Sequence, residues 1–221
     1  MKKPVLINIL FLLLGSGVFA QTAPAFWKDV TAFKKVDSAQ KPAPHSILFI
    51  GSSSFTRWTD VADYFPGYTI TNRAFGGSTL PDVIRYFYEV IVPYQPKQIF
   101  IYCGENDLAY SESVTADEVL RRFKTLYAMI RVYFPDITVD FVSIKPSPSR
   151  EKIQERVKAA NVKIKAFLAK EKKAAFINVY DAMLDANGKM REELYVQDRL
   201  HMKPDGYKIW QRIFLPYMIK L

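Results

Sequence analysis

Four short polar segments hold the residues able to do chemistry. They are Gly51-Ser52-Ser53-Ser54, Asn72-Arg73-Ala74-Phe75-Gly76-Gly77-Ser78, Gly104-Glu105-Asn106-Asp107, and Asp198 with His201 three residues later. A serine in a tight strand-to-helix turn exposes its hydroxyl as a nucleophile close to helix N–H groups. Three adjacent serines equally suit a helix N-cap or a phosphate-cradling turn. Phe55 stands where a G-x-S-x-G elbow needs its second glycine, so that elbow is a poor match.

The paired glycines Gly76 and Gly77 permit a positive φ and bring backbone N–H groups close to a ligand. Asn106 can present its side-chain amide to a developing oxyanion. An Asp three residues before a His can fix the imidazole tautomer and stabilise its protonated form. The chain has only two histidines. His45 lies before the first strand, away from the strand ends, so a histidine base here is His201. Glu105 and Asp107 suit a carboxylate magnesium site, whereas two His and one Cys argue against zinc. Cys103 reads as a small buried residue at a strand end rather than a thiol nucleophile.

These segments need strands to position them. Ile47–Ile50 is an apolar run ending at Gly51, as in a buried parallel strand. Residues 68–72, 98–103, 138–144 and 175–179 read as four more. Between them, Pro81 opens a helix with Val83, Ile84, Phe87 and Ile91 on one side. Thr115 and Glu118 form a capping box for a helix that Pro135 stops. Further helices run from about Arg150 to Ala169 and from about Pro204 onward. Alternating strands and helices predict a three-layer α/β/α architecture with a five-stranded, mostly parallel sheet, whose site lies beyond the carboxyl ends of the strands.

Taken in order, the four segments resemble the blocks of the GDSL, or SGNH, hydrolase family. The resemblance implies the flavodoxin-like SGNH fold and a catalytic set of Ser53, Gly77, Asn106, Asp198 and His201. Ser53 is then the nucleophile, with Ser54 the rival register, and Ser52 occupies the place where the family most often has Asp. Gly77, with Gly76 as alternative, and Asn106 are the oxyanion donors, alongside the Ser53 N–H. Asp198 orients His201. The implied chemistry is ester hydrolysis through an acyl-enzyme, with neither cofactor nor metal.

The 221 residues are 49% hydrophobic and 24% charged, with net charge +9 and one cysteine, which excludes a disordered chain and an intramolecular disulfide. Lys2 and Lys3, the apolar run to Leu14 and the small residues ending at Ala20 read as a secretory signal. The expected organisation is signal peptide 1–20, arm and linker 21–44, and hydrolase domain 45–221. The expected location is periplasmic or secreted, without a stable membrane anchor. The basic stretch Lys163–Lys173 alternates with apolar residues at helical spacing and reads as a solvated face, not a nucleic-acid patch.

The expected substrate is a small-molecule or carbohydrate ester, acetyl first. Trp58, Phe75, Tyr110 and Tyr207 are candidates for a sugar platform, and Lys145 or Arg150 for substrate contact. O-acetyl transfer and non-catalytic carbohydrate binding are the competing readings.

Overall fold

β1 (Ile47–Gly51) is buried along its whole length, as a strand covered on both faces must be. The computed structural model describes residues 23–220; segment 1–20, expected to be a secretory signal, lies outside them. The other strands are β2 (Ile70–Asn72), β3 (Gln98–Tyr102), β4 (Thr138–Val142) and β5 (Ala174–Ile177). All pair in parallel in the order β2-β1-β3-β4-β5. The chain therefore leaves β1 in one direction along the sheet and returns to continue in the other. That reversal opens a crevice between the carboxyl ends of β1 and β3.

Successive β1 residues face opposite layers. Leu48 and Ile50 point to the layer formed by α1 (Trp27–Ala39), α4 (Leu80–Arg85), α5 (Phe87–Val90), α7 (Ala116–Tyr133) and α8 (Gln154–Leu168). Ile47 and Phe49 point to the layer of α2 (Ser53–Thr56), α3 (Val61–Tyr64) and α9 (Pro204–Phe214). A short helix, α6 (Glu105–Tyr110), follows β3 directly. The architecture is the three-layer α/β/α arrangement expected from the alternation of elements.

Local chemistry shifts several boundaries. β4 ends at Val142 because the Ser143 hydroxyl accepts from Val179 and Tyr180 N–H groups, closing the strand end. The helix opened by Pro81 breaks at Tyr86 into α4 and α5. Its start is fixed by a capping box between Thr79 and Asp82. At α7, Thr115 accepts from Glu118 N–H, but the Glu118 carboxylate turns to Arg121 and Arg122 instead of returning to the cap. The turn expected to start a helix at Arg150 is a tighter 3₁₀ segment, Pro148–Ile153, before α8. Proline at its first position removes an N–H donor and favours such a start.

Three members of the expected sugar platform belong to the core. Trp58, Phe75 and Tyr207 are buried, and Trp58 and Tyr207 stack with centroids 4.7 Å apart. Only Tyr110, 62% exposed, stands at the surface.

Candidate active site

The turn after β1 is dictated by close backbone approach. Gly51 has φ +122°, and a Cβ there would lie 2.0 Å from the Tyr102 carbonyl oxygen. Only glycine fits. The Gly51 carbonyl accepts from Phe75 N–H at 2.9 Å and from the Ser78 hydroxyl at 3.0 Å. Those bonds draw the glycine loop over the end of β1. Ser53 then opens α2 and is half-buried. A Cβ on Gly76 would lie 3.8 Å from the Ser53 Cβ.

Gly77, with φ +84°, turns its carbonyl toward Tyr110, whose hydroxyl donates to it at 3.2 Å. Neither the Gly77 nor the Ser53 backbone N–H donates to a protein acceptor among the described residues. Both N–H groups are thus unspent, and Gly76 sets the glycine loop beside the serine. Phe26, just before α1, forms the other wall of Gly77.

Asn106 is buried at the start of α6 and donates to the Ser52 hydroxyl at 2.8 Å and to the Ser78 carbonyl at 3.0 Å. Its amide thereby ties the serine turn to the glycine loop. Asp107 completes the tie by accepting from Leu80 N–H at 3.0 Å and from Arg122 at 2.8 Å. Burial pushes the Asp107 carboxyl up, against the opposing pull of Arg122 and the Leu80 N–H.

Asp198 and His201 meet in the loop before α9. The Asp198 carboxylate accepts from the backbone N–H groups of Leu200 and His201, both at 2.9 Å, and contacts His201 Nδ1 at 2.6 Å. Burial opposes ionisation of Asp198, but these bonds and the imidazole overcome it and hold the carboxyl well below the usual range. An ionised carboxylate only accepts, so Nδ1 carries the proton and Nε2 is left as the acceptor. Antiparallel pairing of Tyr195 with Met202 closes the base of this loop. Tyr207 on α9 donates to the Ser54 carbonyl at 2.9 Å, binding the histidine end of the chain to the serine turn.

Glu105 and Asp107, weighed above as a magnesium pair, have separate protein partners. Glu105 accepts from Lys145 at 2.8 Å and from Tyr102 at 2.7 Å. Among the described residues no cluster of three metal-ligating side chains occurs. Lys145 is 1% exposed and also reaches Ser147 at 2.7 Å. It is a buried structural cation, so the expectation of substrate contact passes to Arg150 alone. Cys103 is buried beneath the glycine loop, and desolvation pushes its thiol well up, away from nucleophilic use.

Sequence reasoning named Tyr110 as a sugar-platform candidate but not as a wall of the glycine loop, and it missed Phe26. Tyr110 was legible in principle, since it follows Asn106 by four residues and shares its helix face. Phe26 carries no local signal.

No curated protein matches the chain. Solved structures do. A GDSL-like lipase from Bacteroides thetaiotaomicron superposes with TM-score 0.72 at 21% identity, covering 85% of this chain and 96% of that one. An acylhydrolase candidate from Bacteroides fragilis gives 0.74 at 20%, covering 86% and 96%. An acetylxylan esterase from Geobacillus stearothermophilus gives 0.61 at 16%, covering 79% and 94%. At these identities the likeness establishes the fold. The model of the GDSL-like lipase/acylhydrolase family matches residues 46–209, from the strand before the serine turn into the helix after His201. That span takes in all four polar segments, and the chain belongs to this family, whose general chemistry is that of esterases and acylhydrolases.

Proposed function

We propose that the protein is a serine esterase that removes short acyl groups, acetyl first, from a carbohydrate ester. The observation that carries this reading is the Asp198–His201 pair, held at 2.6 Å in a loop that α9 fastens to the serine turn. Ser53 attacks the ester carbonyl while His201 Nε2 takes its proton. Asp198 keeps Nδ1 protonated and stabilises the imidazolium.

The tetrahedral oxyanion is received by the Ser53 and Gly77 N–H groups and the Asn106 amide. Asn106 has a neutral acceptor to exchange: a developing negative charge accepts more strongly than the Ser52 hydroxyl, so one N–H turns from Ser52 to the oxyanion. His201 then gives its proton to the leaving alcohol oxygen. Water, deprotonated by the same nitrogen, attacks the acyl-enzyme and releases the carboxylic acid and free Ser53. The roles need no metal or organic cofactor.

Acetyl and carbohydrate preference is supported by the shared fold with an acetylxylan esterase and by the exposed Tyr110 beside Gly77. The amino-terminal charged and apolar run supports export, with action in the periplasm or outside the cell. Among the described residues no helix is long and apolar enough to cross a membrane.

The test is acetate release from p-nitrophenyl acetate by the wild-type protein and by Ser53→Ala. Turnover should disappear in the variant while its circular dichroism is unchanged. Undiminished turnover by Ser53→Ala would overturn the assignment of the nucleophile.

A further inference from the structure

Arg150 stands between the two halves of the site. Its guanidinium carbon lies 6.0 Å from the centroid of the Tyr110 ring, and Tyr110 in turn holds the Gly77 carbonyl. On its other side, Ser149 N–H donates at 3.0 Å to the carbonyl of Arg199, the residue after Asp198. The backbone of Arg150 is fixed, its N–H donating to Ser147 at 2.8 Å and its carbonyl accepting from Gln154 at 3.2 Å. The side chain is not: no protein carboxylate pairs with it among the described residues.

Two of the neighbouring cations are engaged. Arg199 is bound twice by Glu192, and Arg156 donates to the carbonyls of Ser111 and Val114. Arg150, Arg156 and Arg199 line a cleft of about 600 Å³ that also presents Lys152, Glu112 and Glu151. Its charge is net positive, and it adjoins the Asp198–His201 loop. In the proposed mechanism the departing alcohol takes its proton from His201, and the cleft lies beside the loop that carries that residue.

We infer that Arg150 is a specificity-determining residue that binds a carboxylate on the alcohol portion of the ester, so that the preferred substrates are acylated acidic saccharides. A guanidinium offers two parallel N–H groups matched to a carboxylate, and its cation–π approach to Tyr110 leaves those donors free. The inference rests on the esterase reading of the same site.

The experiment compares acetate release from the methyl glycoside of tri-O-acetyl-glucuronic acid and from its carboxamide, which keeps the shape and removes the charge. Wild-type kcat/KM should favour the acid by about tenfold, the discrimination of one partly exposed charge-assisted pair. Arg150→Gln should bring the ratio of acid to amide close to one, and Arg150→Lys should retain part of it. Because the readout is a ratio within each variant, a general loss of activity does not imitate the effect. A wild-type ratio near one, or a ratio unchanged in Arg150→Gln, overturns the inference while Ser53-dependent hydrolysis of p-nitrophenyl acetate leaves the esterase reading standing. Absence of that hydrolysis in the wild type overturns both.

Discussion

Asn106 donates to the Ser52 hydroxyl at 2.8 Å, which couples the turn after β3 to the residue immediately before Ser53. The same amide holds the Ser78 carbonyl, so one side chain sets the spacing of three loops. Asn106→Ala should therefore lower kcat by roughly 10²–10³-fold with a much smaller change in KM, as for loss of an oxyanion donor. Ser52→Ala leaves the bond to Ser78 and should cost only about three- to tenfold. Steady-state kinetics on p-nitrophenyl acetate checks both. Equal losses in the two variants would show that Asn106 acts only through Ser52.

Asp198 is kept ionised by three hydrogen bonds, and its proposed task is to keep the proton of His201 on Nδ1. Asp198→Asn can present an N–H group to that nitrogen and select the wrong tautomer, so kcat should fall on the order of 10⁴-fold. The pH signature is separate. A carboxyl depressed in the folded state adds stability above its unfolded pKa and loses it as pH falls through the folded value. Below about pH 4, the ordinary range of an unfolded Asp, the wild type should lose stability more steeply than Asp198→Asn in thermal melts.

Among the described residues Asp107 is the only acceptor for Leu80 N–H, and it pairs with Arg122 in a buried setting. Asp107→Ala leaves both donors without it and should destabilise the fold by roughly 3–5 kcal/mol in urea unfolding. Asp107→Asn keeps an oxygen for one donor and should cost less. A loss below about 1 kcal/mol for the alanine variant would mean that water replaces the carboxylate.

Asp140 makes the opposite pH prediction. Desolvation inside the sheet pushes its carboxyl up to about 7, against the pull of the Gln98 amide and the Ala175 N–H. A raised folded pKa means that stability is fully present below about pH 4 and is lost as pH rises through about 7. Between about pH 5 and 7 the wild type should lose about 1.4 kcal/mol per pH unit from this group. Asp140→Asn should remove that slope, whatever constant cost its amide imposes beside Gln98. Urea titrations at pH 5, 6, 7 and 8 give the difference; parallel curves would refute the shift.

The strands and their order of appearance were legible because buried parallel strands are short apolar runs and the chemistry follows them directly. The placement of Ser53 and Asn106 at strand ends, and the contact between Asp198 and His201, were legible for the same reason, each being local to a strand end or a loop with its own spacing. What resisted reading depends on tertiary placement. Trp58 and Tyr207 look like ligand-binding aromatics in sequence, yet they stack on each other beneath α2. Lys145 looks like a surface cation, and its burial becomes tolerable only because Glu105, forty residues earlier, supplies the counter-charge. The break at Tyr86 and the 3₁₀ start at Pro148 leave the apolar pattern intact, so periodicity alone does not reveal them.

Helix α1 lies upstream of the family-matched span, which begins at residue 46. Yet Phe26 packs on Phe75 with centroids 5.3 Å apart and walls Gly77, while Asp37 pairs with Arg73 and accepts from Tyr94. The recognisable segment is thus smaller than the unit that must fold together. A chain shortened to start at residue 45 would keep every proposed reacting group and lose one wall of the loop that orients them. Fusion or domain transplantation with this protein should carry residues 26–39 along.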